Sequence, residues 1–179
     1  EQAHFAIGFP TVAREDAGRP AVQVMNAVLG GGMSSRLFKK VREELGLAYS
    51  VYSYCSHYEE TGQLTVYAGV NPAKAEDAFA AVRGTIETFV EGGVTEEEFL
   101  RGREQVKSGA IFSQENTSSQ MLLYGKEMLY NRKVYDFERR MAEIAALRRE
   151  DILRAIAQNF DFSRAAVASV GNLGGGLKL

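Results

Sequence analysis

Between Leu29 and Tyr58 the chain reads LGGGMSSRLFKKVREELGLAYSVYSYCSHY, and this stretch gathers most of its chemically capable side chains. It holds a run of three glycines, an arginine and a tyrosine on either side of Gly46, the single cysteine and one of the two histidines. A phosphate-cradling loop needs G-x-x-x-x-G-K-[ST] after a strand, with a lysine for the phosphates. Here Gly30, Gly31 and Gly32 follow a helical pattern, and Met33-Ser34-Ser35-Arg36 supplies no such lysine. An anion nest of backbone amides is an alternative for the glycines. A flexible joint between two helices fits them better.

The two histidines, His4 and His57, stand far apart, and neither H-x-x-E-H nor H-x-x-H occurs. A zinc hydrolase site therefore cannot be assembled from this chain alone, and no metal ligands are expected in it. His57 and Glu60 read as a solvated pair near a turn, and Cys55 as core beside Val51. No G-x-S-x-G nucleophile elbow is present. That leaves Arg42 and Tyr49. On a helical wheel Phe38, Val41 and Leu45 form the buried stripe, Arg42 falls beside it, and Arg36, Lys39 and Glu43 take the solvent side. Both long polar side chains can converge at the corner made by Gly46. Composition alone reads Arg42 as lying over a tyrosine face or pairing with a carboxylate.

The elements that position these residues follow from periodicity. AHFAIGF suits a strand buried on both faces. Ala21, Val24, Met25, Val28 and Leu29 recur at helical spacing until Gly30–Gly32 end the helix. Ser34 or Ser35 can cap a second helix, with Gly46 at its left-handed C-terminal cap and Leu47 folding back onto Val41. From Leu47 to Tyr58 the period is two. One face carries Tyr49, Val51, Ser53, Cys55 and His57, the other Tyr52, Tyr54 and Tyr58. EETG turns into QLTVYAGV, a hairpin partner. Asn71-Pro72 starts a helix striped by Ala75, Phe79, Val82, Ile86 and Phe89 and stopped at Gly92-Gly93. Thr95–Glu98 is a capping box opening the next helix. Two or three further helices cover Ser113 to Phe160, and RAAVASVG is a last strand. The order implies an α+β two-layer sandwich, a mixed or antiparallel sheet with helices packed on one face. The terminal GGGLKL reads as a connection or a frayed end.

Length and composition set the outer bounds. The 179 residues suit a single domain, 1–179, with a sizeable core, at 45% apolar and 25% charged content. A net charge of -2 gives no footprint for nucleic acid, and no apolar run approaches the roughly 20 residues a bilayer requires. One cysteine suits a reducing cytoplasm. Because a strand pattern begins almost at Glu1, the chain is expected to be a piece of a longer protein, cut at a domain boundary.

The block VMNAVLGGGMSSRLFKKVREELGLAYSVYSYCSHYEETGQLTVYAGV resembles the second-domain signature of the pitrilysin/insulinase family of zinc metallopeptidases, which includes the mitochondrial processing peptidases. QENTSSQMLLYGKEMLY and AVASVGNL are similar to the family too, so the resemblance covers nearly the whole chain. It implies a C-terminal, non-zinc domain of a longer two-domain peptidase, facing a first domain that carries H-x-x-E-H and binds zinc. It implies that this chain itself holds no cofactor and cleaves nothing alone. It implies as partners that first domain, on the same chain or on a partner subunit, and a peptide substrate. A homodimer is open to it through the face left uncovered. The substrate-binding residues it implies are Arg42 and Tyr49, spaced Arg42-x6-Tyr49, with Gly30, Gly31 and Gly32 beside them. In the family this pair reaches toward the scissile carbonyl. An always-charged guanidinium and a neutral phenol are suitable donors to an oxygen that gains negative charge during hydrolysis. A non-peptidase relative acting as a scaffold or partner subunit is the rival. The start of the last helix, LRREDILRAI, departs from the family's threonine cap.

Overall fold

The computed structural model describes residues 1–173 and 177, so the GGGLKL tail, Leu177 apart, lies outside the described residues. Four strands, β1 (Ala3–Thr11), β2 (Ala48–His57), β3 (Gly62–Val70) and β4 (Ala166–Val170), form one sheet in the order β2-β3-β1-β4. Every neighbouring pair is antiparallel. The helices are α1 (Arg19–Gly30), α2 (Ala75–Gly92), α3 (Glu96–Glu115), α4 (Thr117–Asn131), α5 (Phe137–Ala146) and α6 (Arg149–Asn159). None is long and apolar enough to cross a membrane. The α+β architecture is therefore the one the element order implies.

One face of the sheet makes the core. Phe5, Ile7 and Phe9 of β1 and Leu64, Val66 and Ala68 of β3 are buried against apolar residues of α1, α2 and α6. Among the described residues the other face carries no helix, and its positions on β1 and β2 are half-buried or exposed. There His4 Nδ1 lies 2.7 Å from the Tyr67 hydroxyl, and Tyr52 packs on Tyr67 with ring centroids 4.9 Å apart. β1 thus departs from the expected strand buried on both faces. Its inward positions are buried while His4, Ala6, Gly8 and Pro10 are only half-buried, because the helices form a single layer.

Several local signals act as their chemistry requires. Asn71 Oδ1 accepts from the Ala73 amide at 2.9 Å, opening the turn that leads into α2. All five stripe residues of α2 are buried. Thr95 and Glu98 form a complete capping box at α3, with the Glu98 carboxylate 2.9 Å from the Thr95 amide. At α6 only half a box exists. Asp151 accepts from the Arg148 amide at 2.8 Å, and an arginine in place of threonine has no oxygen to return the bond.

Glu98 does a second job that periodicity does not disclose. Arg36, assigned by the wheel to the solvent side, turns inward, and its Nε and Nη2 each donate to Glu98 at 2.7 Å. Nη2 also donates to the Gly93 carbonyl at 2.7 Å, and the guanidinium lies 5.0 Å over the Phe89 ring. A planar fork matched to a carboxylate, partly out of water, is the strong form of an ion pair. These hydrogen bonds from Arg36, outweighing burial and helped by Thr95, hold the Glu98 carboxyl at about 2. A lowered carboxylate pKa stabilises the fold fully above the ordinary value of 4.5, and that contribution is lost as pH falls toward 2. Glu98→Gln should therefore lower stability at neutral pH by about 1.5–3 kcal/mol, the scale of hydrogen bonds to a charged group. Melting temperatures across the acid range check this. The variant should be less sensitive than wild type between pH 4.5 and 2, and equal slopes would remove the ion pair from the account.

Candidate functional site

The corner that carries Arg42 and Tyr49 is built from the end of α1 onward. Gly30 is buried as the last residue of α1, where an added Cβ would stand 2.5 Å from the Ser53 backbone nitrogen. Glycine here lets α1 rest directly on β2. Gly31 and Gly32 are exposed, and the Gly31 carbonyl accepts from Gln105 Nε2 at 2.9 Å. Gly31 has φ -81°, and none of the three glycines is left-handed, so the alternating backbone of an anion nest is not formed. Gly30 is a packing residue, and the nest reading is set aside.

Ser35 is buried and its Oγ accepts from the Phe38 amide at 3.4 Å, which makes it the cap of the next helix. That helix stays α-helical only through Arg36 and Leu37. Phe38–Glu44 is a π-helix, in which the Leu45 amide reaches back five residues to the Lys40 carbonyl at 3.1 Å. The wider turn changes which positions share a face. Leu37 and Val41 are buried, whereas Leu45, expected in the stripe, is 44% exposed. Arg42 is exposed on this helix, and its guanidinium lies 4.9 Å over the Phe38 ring, neither on a tyrosine nor against a carboxylate.

Gly46 then closes the turn with φ +60°, and the Leu47 amide donates to the Val41 carbonyl at 3.0 Å. β2 follows at once, and it starts irregularly. Ala48 pairs with Val70 and Ser50 with Gly69, so Tyr49 is an extra residue opposite a single step of β3. Such a bulge re-aims a side chain. Tyr49 was expected on the face of Val51 and Ser53, which are buried, but it is 54% exposed. Arg42 and Tyr49 thus flank one turn, both in irregular backbone and both open to solvent.

The other candidates are placed elsewhere. His57 does not pair with Glu60. Its Nδ1 lies 2.8 Å from the Val12 carbonyl, half-buried at the far end of β2. Cys55 is half-buried against the core, and burial pushes its thiol up to about 12, so it is no nucleophile at neutral pH. Sequence reasoning missed Arg36, whose inward turn depends on a carboxylate 62 residues away. It also missed a cleft of about 890 Å³ beside α1, walled in part by Arg14, Arg19, His57 and Arg140.

The comparisons with known proteins bear on what this corner is part of. Residues 1–106 match the family model described as the peptidase M16 inactive domain. The chain belongs to the peptidase M16 family, as its inactive domain. It is 38% identical over 173 residues to an uncharacterized zinc protease of Streptomyces coelicolor, covering 97% of this chain and 38% of that protein. A like-named protein of Bacillus subtilis is 36% identical over 178 residues, covering 97% and 43%. The M16 domain thus spans about two fifths of the length of these relatives. Among solved structures, a protease from Helicobacter pylori superposes with a TM-score of 0.83 at 20% identity, over 94% of this chain and 40% of that one. A peptidase M16 inactive domain from Pseudomonas fluorescens gives a TM-score of 0.83 at 22% identity, over 94% and 40%. At that identity the likeness shows the fold.

Zinc is implied by the relatives' names, and the described residues do not fit it, because no three of His, Cys, Asp and Glu group to hold a metal ion. The chain, prepared without chelator and dialysed, should carry far less than one equivalent of zinc by elemental analysis. About one tightly held zinc per chain would mean that ligands exist which the geometry does not bring together.

Proposed function

We propose that this M16 inactive domain is the C-terminal, non-zinc half of a two-domain zinc endopeptidase, and that Arg42 and Tyr49 donate hydrogen bonds to the scissile carbonyl of a bound peptide. The observation that carries the reading is the pair of donors without partners. Tyr49 is raised out of the ladder by the bulge, and Arg42 makes no ion pair among the described residues, Glu44 being taken by Lys40. Exposed in irregular backbone, the two groups give the fold little beyond the contact of Arg42 with the Phe38 ring, which points to a use outside the chain. Gly31 and Gly32, exposed beside this corner, would offer backbone to the same peptide, and Gly30 would contribute only by bringing α1 down onto β2.

The catalytic metal, on this reading, sits on a first domain supplied by the same chain or by a partner subunit. What this chain adds is electrostatic. A carbonyl oxygen gains negative charge as water attacks, and a guanidinium and a phenol aimed at it stabilise that charge more than they stabilise the bound substrate. The need for a partner agrees with α3 and α4. No residue of α4 is buried, and Ile111, Phe112, Met121, Leu122, Met128 and Leu129 of these helices are exposed. An apolar surface of this kind is one that another domain, or a second copy in a homodimer, covers. Peptides fit the site better than nucleic acid, given the net charge of -2, and the cytoplasm is the proposed location.

The test uses the full protein with its zinc domain. Tyr49→Phe removes one hydroxyl and should lower kcat by roughly 10²–10³ with the melting temperature unchanged. Arg42→Lys keeps the charge but loses the planar fork and should also be impaired. The double variant should lose less than the sum of the two, because donors to one oxygen act as a unit. If Tyr49→Phe keeps kcat within a factor of about three, or activity falls only in step with stability, the pair is packing and the domain a scaffold.

A further inference from the structure

The cleft of about 890 Å³ beside α1 shares Gly31 with the neighbourhood of the Arg42–Tyr49 corner and has chemistry of its own. The loop after β1 brings Arg14 to it, the first turn of α1 brings Arg19, the end of β2 brings His57 and α5 brings Arg140. Arg14 donates to the His57 carbonyl at 3.4 Å, and its guanidinium lies 4.0 Å over the Tyr130 ring. Arg19 donates through Nη1 to the Arg14 carbonyl at 3.2 Å, and its Nε is buried without an acceptor. Neither arginine has a carboxylate within ion-pair distance among the described residues.

The tautomer of His57 follows from its partner. A carbonyl oxygen only accepts, so Nδ1, 2.8 Å from the Val12 oxygen, carries the hydrogen. In the neutral ring Nε2 is then a lone pair, and it too is buried without a partner. The cleft's carboxylates are mostly committed. Glu15 pairs with Lys133 at 3.1 Å, and Glu143 pairs with Arg139 at 2.9 Å and Arg140 at 3.3 Å. Asp16 accepts from the Gly18 amide and Asp136 caps α5. Asp16, Glu127 and Asp136 line the cleft without an ion pair among the described residues, and of these Glu127 acts on Arg19 from beyond contact distance.

We infer that this cleft binds a small oxyanion, a carboxylate or a phosphate, between Arg14, Arg19 and the Nε2 edge of His57. The two guanidinium groups supply fixed N–H donors to the oxygens, and the unpaired Nε of Arg19 gains an acceptor. Binding is coupled to a proton. Burial, with the nearby Arg19, Arg140 and Arg14, outweighs the hydrogen bond to Val12 and holds His57 below its ordinary 6.5, so the ring is neutral near pH 7. An anion facing the lone pair would be repelled, and it removes that repulsion by drawing a proton onto Nε2. Affinity therefore rises as pH falls through the neutral range, and the nearby Glu127 carboxylate opposes the anion. This inference does not depend on the peptidase reading.

The experiment follows the imidazole resonances of His4 and His57 by NMR in this 179-residue chain at low ionic strength. Inorganic phosphate and succinate are titrated separately, with chloride at matched ionic strength as the third arm. A saturable response of His57 to phosphate or to succinate, with its pKa rising by about one unit or more and His4 unmoved, supports the site and names the oxyanion it prefers. Arg19→Gln should weaken binding roughly tenfold or more, and Arg14→Gln gives the same reading if the first variant folds poorly. Glu127→Gln should tighten it. No saturable shift of His57, an equal shift with chloride, or unchanged binding in the arginine variants would overturn the inference.

Discussion

The ion pair between Arg36 and Glu98 is the constraint on which the candidate site rests. It joins the turn leading into the π-helix to the N-terminus of α3, and through the Gly93 carbonyl it joins the end of α2 as well. Glu98 also closes the capping box of α3, so one carboxylate serves a helix terminus and a long-range clamp together. Without it, the segment between α1 and β2 would be fastened mainly by Leu37 and Val41 beneath it. A π-helix forfeits regular α-helical bonding, and it persists where its surroundings hold it. The clamp at one end and the Gly46 turn at the other are those surroundings, and Arg42 and Tyr49 are placed by them.

What the sequence discloses here follows the range of the interactions concerned. The α2 stripe, the Thr95–Glu98 box, the Gly46 cap and the strand period of β2 from Val51 onward are set by residues within a few positions, and each stands where its pattern places it. The exceptions depend on distant partners. Arg36 faces inward because Glu98 and Gly93 are there to meet it, and a wheel drawn on its own helix sees neither. Leu45 leaves the apolar stripe because the helix widens, and Tyr49 leaves the buried face because the β2–β3 register slips by one residue. His57 takes a carbonyl 45 residues away over the glutamate three positions on. Both irregularities that change a side chain's direction fall at the corner where function was sought, which is where local rules are expected to fail.

The domain therefore combines a conventional layer of helices on a sheet with three surfaces that the layer does not complete. The Arg42–Tyr49 corner presents donors without acceptors. The α4 face presents apolar side chains without a cover. The cleft beside α1 presents a guanidinium Nε and an imidazole lone pair that no described residue partners. The domain matches about two fifths of its relatives' length, and on the proposed reading the rest of such a protein and its peptide would complete the first two surfaces.

The central claim is that Arg42 and Tyr49 favour the transition state over the ground state, and a tetrahedral mimic separates those two states most directly. A phosphonate peptide that copies the attacked carbonyl would be assayed as an inhibitor of the full protein across a series of Arg42 and Tyr49 variants. The expected result is that log Ki rises in parallel with log(KM/kcat), with a slope near one, while KM for the matching peptide scarcely changes. Inhibition constants that follow KM instead, or that stay flat while kcat/KM falls, would show that the pair serves ground-state binding or the fold and would contradict the claim.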